Sequence, residues 1–325
     1  MVRFHVSITQ VAQMKVPFAD VQEFVVRAEK LGYDGITLGD RTVLGPHDIL
    51  DWSRVGLNQA HLNCLTTLAS LATVTRKLIL RTLVLNVPLK HPADLANIVA
   101  TIDNISGGRF ILTAAVGVTP DEYKAFKLPY EHRGGIMLEA VQIMKALWTH
   151  DEPISFKGKY FTLEDAKLAS PKPVQKPHPP VWYGSHDAEG YRLKRVGRFF
   201  EGWDDGGMTN NTPEVLRKKL EVVRNEAKKL GRNADEIGVN HTFVMAIGKD
   251  DAEARKTADD YLLKIRGQRQ NVTPAAGSPK RCTEHIRRLA EAGATDFTLS
   301  LIPYTYRENV EMMELFAKEV IPNFR

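Results

Sequence analysis

Residues 89–117 read LKHPADLANIVATIDNISGGRFILTAAVG, from Leu89 to Gly117, and this stretch decides the fold class. His91-Pro92 opens a helix, because proline is tolerated at the first helical position, where its missing N–H would have had no intrahelical partner. Apolar residues then recur at helical spacing as far as Ile105. Ser106-Gly107-Gly108 stops the helix, since glycine reaches the left-handed conformation of a helix end at little cost. Phe110 to Val116 is a short apolar run of the kind a strand buried on both faces requires. A helix delivered by a two-glycine turn into such a run is half of a βαβ unit, so the chain is α/β with a parallel sheet.

The alternation extends in both directions. Strands are expected at 3–9, 34–39, 78–85, 110–116, 180–183, 199–203, 237–247 and 297–302. Helical patterns lie between them, at 18–31, 62–75, 93–105, 135–147, 188–196, 214–230, 252–265, 284–292 and 309–320. Eight strands with intervening helices predict a (β/α)8 TIM barrel forming one domain over 1–325. An open doubly wound sheet is disfavoured, because no G-x-G-x-x-G turn follows the first strand. Three insertion segments exceed what a bare barrel needs: about 41–61 after strand 2, 151–179 after strand 4, and 267–279 after strand 7. The second contains a hairpin pattern, ISFKGKYFTL, from Ile154 to Leu163. Long segments in compact domains usually carry function, and loops after barrel strands build the active site. Substrate contact is therefore expected at 41–61, whose Val43, Leu44, Ile49, Leu50 and Trp52 fit a moderately hydrophobic organic molecule. Ala275-Ala276-Gly277 in the third segment is expected to form part of a mobile cover.

The 325 residues are 43% hydrophobic and 26% charged, enough apolar content for a large core. The formal charge of +5 comes from bases interleaved with acids on helix faces, as at Lys218, Lys219, Arg287 and Arg288. Such faces are solvated, which argues against a nucleic-acid partner. A mild positive bias still favours an anionic cofactor. Cys64 and Cys282 show neither metal-ligand nor disulfide spacing, so no metal is expected. No leader-like segment is visible, and no apolar run approaches the roughly 18 residues of a membrane span. A cytoplasmic protein with no membrane partner is expected.

Three ordered blocks resemble the bacterial-luciferase-like oxidoreductases. The first is the quoted stretch, similar to that family's "HP…T.D..SGGR…G.G". The second runs from Glu131 to Tyr183, EHRGGIMLEAVQIMKALWTHDEPISFKGKYFTLEDAKLASPKPVQKPHPPVWY. The third leads from Gly184-Ser185 through Gly197 to Glu201-Gly202-Trp203, similar to "GGS…A…DGW". The resemblance implies a parallel barrel, usually dimeric, that binds FMN or the deazaflavin coenzyme F420 at the carboxyl ends of its strands. It implies either oxygen insertion by reduced flavin or hydride transfer to and from F420. A monooxygenase using reduced FMN on a small-molecule substrate is the first expectation, with a separate flavin or F420 reductase as partner and a homodimer as the assembly. An F420-dependent reductase or dehydrogenase is the alternative. A non-catalytic flavin-binding barrel is a second alternative, disfavoured by the full-length loops. No NAD(P)H fingerprint is visible.

A phosphorylated isoalloxazine needs a phosphate cradle and a flat apolar slot. Tyr183-Gly184-Ser185 turns from strand to helix, where backbone N–H groups attract phosphate. The resemblance places the phosphate at Gly184 and Ser185, with Gly206, Gly207 and Met208 approaching from the next turn. An ordinary helix cap is the other reading. The ring slot is expected at Leu83, Val84 and Asn86, where the resemblance implies a non-prolyl cis peptide at Leu83-Val84; an ordinary core strand is the competing reading. Tyr183 and Trp203 either wall the slot or fill the core.

Acid/base residues are less distinct. The family's F420-linked dehydrogenases carry an Asp-His pair after the second strand, where this chain reads Gly39-Asp40-Arg41. They carry a glutamate soon after the fourth strand's glycines, where this chain reads Gly117-Val118-Thr119-Pro120. Both departures favour an oxygenase, which asks less of the protein. Asp40 either faces the site or pairs with Arg41. His61 and His91 are the remaining catalytic candidates, with a surface role as the other reading of His61 and with His91 chiefly a residue that positions the next helix or lines the site. His241 points either into the barrel or outward. Arg133 is a structural or cofactor-edge contact.

Overall fold

The computed structural model describes residues 2–45, 61–185, 189–206, 212–264, 275–302 and 305–325. β1 (Arg3–Ser7) leads to a short α1 (Thr9–Gln13) and α2 (Phe18–Lys30). β2 (Gly35–Leu38) precedes α3 (Cys64–Val74), and the broken pair β3 (Ile79–Thr82) and β4 (Leu85–Asn86) precedes α4 (Pro92–Ser106). β5 (Phe110–Ala115) is followed by α5 (Pro120–Ala125) and α6 (Arg133–Thr149). The antiparallel hairpin of β6 (Ile154–Lys157) and β7 (Thr162–Ala166) stands before β8 (Val181–Gly184) and α7 (Tyr191–Phe199). β9 (Gly202–Asp204), α8 (Pro213–Lys229), β10 (Gly238–Ile247), α9 (Asp251–Lys264), β11 (Ala275–Gly277) and α10 (Pro279–Glu291) come next. β12 (Asp296–Leu301) and α11 (Tyr306–Glu319) complete the order.

Strand pairing runs β11–β10–β12–β1–β2–β3–β5–β8–β9, with β4 on β5 and β9 returning to β10. That return, Gly202 opposite Gly238 and Asp204 opposite Asn240, closes the path. The fold is the (β/α)8 barrel that the alternation predicts. Among the described residues, no helix is long and apolar enough to cross a membrane.

The chain forms two compact units. One comprises Met1–Thr37, Ile49–Leu62 and Trp182–Arg325; the other comprises Leu38–Asp48 and Asn63–Val181. In the first, Phe4 stacks on Phe297 at 6.0 Å, and Phe297 stacks on Phe243 at 5.8 Å. Trp182 lies flat against two glycines, and a Cβ on Gly202 or Gly238 would come within 2.4 Å of its ring. The sixth strand starts only at Gly202, while Phe199 still closes α7.

The second unit shows why the opening stretch folds as read. His91 caps α4 by accepting the Ala93 N–H at 3.3 Å, Pro92 takes the first helical position, and Gly107 ends the helix at φ 68°. Trp148 of α6 donates from Nε1 to the Ala96 carbonyl at 2.9 Å, tying α6 to α4. Arg109 anchors the strand that follows, donating to the carbonyls of Ala72, Leu78 and Ser106 at 3.0, 2.7 and 2.7 Å.

Two expectations change. Ala275-Ala276-Gly277 is not a mobile cover; it is β11, paired in parallel with Met245-Ala246-Ile247. Small residues fit that edge, and pairing satisfies backbone groups that a loose loop would leave to water. α5 appears where only a loop was expected. Most of the 41–61 and 267–279 insertions, and both Gly207 and Met208, lie outside the described residues.

Candidate active site

In the 38–181 unit the third barrel strand breaks between β3 and β4. Leu83 and Val84 occupy the break, joined by a cis peptide, and both are half-exposed in an otherwise buried strand. Their backbone is held edgewise by the chain after β2: Leu83 N–H donates to Leu38 O at 2.7 Å, and Asp40 N–H donates to Val84 O at 3.1 Å. The two side chains thus form an apolar ledge at a strand's carboxyl end.

Beneath the ledge lies a polar cluster. Asp40 Oδ2 accepts from Lys90 Nζ at 2.8 Å and from the Asn86 N–H at 3.3 Å. The Asp40 side chain is 2% exposed and that of Lys90 18%. Of the two readings of Asp40, the pair with Arg41 is not among the ion pairs of the described residues. Arg41 instead donates to Thr119 Oγ1 at 2.8 Å and to Glu122 Oε2 at 3.3 Å. Glu122 Oε2 also accepts from Asn86 Nδ2 at 3.3 Å, and Oε1 accepts from the Thr42 N–H at 3.3 Å. The Tyr123 hydroxyl donates a hydrogen bond to Val116 O at 2.5 Å, with Asn86 Oδ1 3.3 Å away; burial pushes this phenol well up from its ordinary value. Two carboxylates meet two cations, so the cluster has no formal net charge. Each buried ion has an opposite partner, as burial demands. Gly117 seals the arrangement: its φ is +67°, and a Cβ there would lie 2.3 Å from Asn86 Nδ2.

Cys64 borders the cluster and donates to Leu38 O at 3.2 Å. Burial pushes its thiol well up, Asp40 adds to the rise, and Lys90 opposes it. His91 is exposed and commits Nδ1 to the α4 cap. Arg133 donates to Tyr130 O at 2.9 Å and lies 3.8 Å over the Tyr130 ring.

The other predicted residues belong to the 1–37, 49–62 and 182–325 unit. His61 meets Gln13 through its Nε2 at 3.1 Å. Tyr183 is buried, Gly184 ends β8, and the Ser185 N–H continues the ladder to Asp204 O at 3.3 Å. Burial raises the Tyr183 phenol, while Arg195, Arg192 and the Ser185 hydroxyl draw it down. Two guanidinium groups therefore act on this turn. Gly206 N–H donates to Asp204 Oδ1 at 2.8 Å. His241, undecided from sequence, bonds Asp205 Oδ2 through Nδ1 at 2.9 Å with both side chains buried. Asn240 donates to Asp204 Oδ2 at 2.5 Å and accepts from Thr298 Oγ1 at 2.9 Å. Trp203 is fully buried and fills the core.

Sequence reasoning missed Lys90, Glu122, Tyr123, Arg192 and Arg195. The signal for Glu122 was its place five residues beyond Gly117, further than the spacing sought. A lysine before a helix cap, and arginines within an amphipathic helix, read as solvated charge.

Comparison with known proteins follows the same lines. A family model described as luciferase-like monooxygenase matches residues 1–274. An FMNH(2)-dependent dimethylsulfone monooxygenase of Pseudomonas putida is 32% identical over 276 residues, covering 72% of this chain and 71% of the relative. An F420-dependent glucose-6-phosphate dehydrogenase of Microbacterium testaceum is 24% identical over 330 residues, covering 94% and 93%. The crystal structure of the monooxygenase RslO1 from Streptomyces bottropensis superposes with a TM-score of 0.80 at 21% identity, over all of both chains. At that identity the structural likeness speaks for the fold alone.

Proposed function

The chain belongs to the luciferase-like monooxygenase family, and from that premise we propose that it is a monooxygenase that uses reduced FMN on a small organic substrate. The observation that carries this reading is the alignment of 276 residues with an FMNH(2)-dependent monooxygenase. Bound and reduced, FMN supplies the electrons for inserting oxygen from dioxygen. The residues present fit such a group. Leu83 and Val84 offer a half-exposed apolar ledge for a flat ring, with Asn86 at its edge. Gly184 and Ser185, in the field of Arg192 and Arg195, suit an anionic tail, and Gly206, Gly207 and Met208 are assigned to the same role.

The chain's own tasks are to bind the ring, exclude water and hold protons at stated atoms. Asp40 fixes the Lys90 ammonium. His91 exchanges protons only through Nε2, because Nδ1 serves the cap. His61 is held through Nε2 by Gln13. A separate flavin reductase supplies the reduced cofactor, since the sequence carries no pyridine-nucleotide fingerprint. We further assign one domain over 1–325, a homodimeric assembly and a cytoplasmic location.

Hydride transfer with F420 is the second reading, favoured by the relative that aligns over 94% of this chain. Anaerobic fluorescence titration with FMN, reduced FMN and F420 separates the two. Saturable binding of FMN in either redox state is expected. Binding of F420 with none of FMN would replace the first reading by the second.

A further inference from the structure

The 38–181 unit contains a cavity of about 360 Å³ that borders the polar cluster at Lys90. Its walls include Leu89, Phe126, Leu128, Tyr160 and Phe161, and Lys90 is the one lysine or arginine among its lining residues. We propose that this cavity binds a compact apolar molecule bearing one neutral oxygen acceptor, such as an aryl ketone, and that Lys90 donates the hydrogen bond that orients it. Calling this molecule the substrate rests on the flavin-monooxygenase reading; the binding site itself does not.

Size sets the first limit. The volume lies at the lower end of the range for small-molecule pockets. At about 30 Å³ per water-sized group it holds roughly ten to twelve heavy atoms. Wall chemistry sets the second. Phenyl and branched aliphatic side chains favour an apolar body, and Phe161 stands edge-on to His91 at 5.9 Å. Phe126, 40% exposed, flanks the opening.

Charge sets the third limit. An ammonium has three N–H donors, and among the described residues the Lys90 side chain donates to Asp40 alone. Asp40 cancels its charge at 2.8 Å, so a carboxylate ligand would gain little attraction while losing its hydration. A neutral carbonyl loses far less water and still accepts a charge-assisted bond. The same Asp40 oxygen that holds Lys90 also receives the Asn86 N–H, two residues beyond the ledge. A ligand held by Lys90 is thereby registered against the strand end that carries Leu83 and Val84. A larger cavity of about 570 Å³ lies elsewhere, among Arg255, Arg281, Arg288 and His285. It includes none of the predicted site residues.

The test is fluorine NMR on the purified protein with 4-fluoroacetophenone, 4-fluorotoluene and 4-fluorobenzoate, with and without FMN. The ketone is expected to bind at least tenfold more tightly than the benzoate and several-fold more tightly than the toluene. Lys90→Met should reduce the ketone to the level of the toluene and leave the toluene unchanged. Leu128→Trp should fill the cavity and weaken all three at least tenfold, without depending on the ion pair. Ketone affinity that survives Leu128→Trp, or benzoate binding as tight as the ketone's, overturns the proposal. If FMN binds and no probe does, the site falls and the flavin reading stands. If the probes behave as stated and FMN does not bind, the reverse holds.

Discussion

Two polar clusters, one in each unit, are built from the same kinds of side chain and reach opposite outcomes. In the first unit, Asp204, Asp205, Asn240 and His241 are sealed, none more than 3% exposed, and each carboxylate is spent on the neighbouring strand. In the second, Asp40 and Glu122 are equally deep, but their cations Lys90 and Arg41 are each 18% exposed. A sealed network locks strand register, and its cost is recovered only if every partner stays. A network whose lysine reaches the surface keeps ammonium donors for a ligand. Depth of the acids does not separate the two roles; exposure of their partners does.

The comparison breaks most readily at the sealed end. Asp205→Ala strands His241 in the core and should cost about 3 kcal/mol, read as a shift in urea unfolding. A loss under 1 kcal/mol would mean that the pair does not hold β9 to β10. Gly117→Ala pushes a Cβ into Asn86 at a positive φ, for about 1–3 kcal/mol, and should also weaken FMN binding by displacing the strand end. Unchanged FMN affinity in a destabilised Gly117→Ala protein would detach Asn86 from the site. Glu122→Gln keeps the shape but removes the charge facing Arg41. About 1 kcal/mol of stability should go, and FMN binding should fall more than the folding loss alone explains. Equal effects would assign Glu122 to the fold only. The smallest effect is a silence. Burial raises both thiols, Cys282 to about 11, so neither cysteine should react with a thiol reagent at pH 8 until the protein is unfolded. Rapid labelling of native Cys64 would show the second cluster to be more open than described.

The barrel was legible because its elements announce themselves locally. Pro92 and Gly107 bracket α4, and uninterrupted apolar runs mark strands buried on both faces. β11 escaped notice because Ala275-Ala276-Gly277 has no side chains large enough to make a pattern; only β10 beside it makes it a strand. In the candidate site, Leu83, Val84, Asn86 and Asp40 announced themselves by their places at strand ends, and Leu83-Val84 carries the cis peptide that the family resemblance implies. Their partners did not, because register rather than spacing unites them: Glu122 reaches Asn86 across 36 positions, and Asp205 reaches His241 across another 36. Composition carries no trace of such pairings.

Arg109 adds a consequence in time. The carbonyls of Ala72, Leu78 and Ser106 that it grips lie upstream of it, the first of them 37 residues away, so one side chain ties off a short span of the nascent polypeptide. Short spans close early, since little chain entropy opposes them. The segment from α3 to β5 should therefore gain protection first in pulse-labelled hydrogen exchange during refolding, and Arg109→Met should slow that phase. Earlier protection of the terminal strands β1 and β12 would place the start of folding at the other end of the molecule.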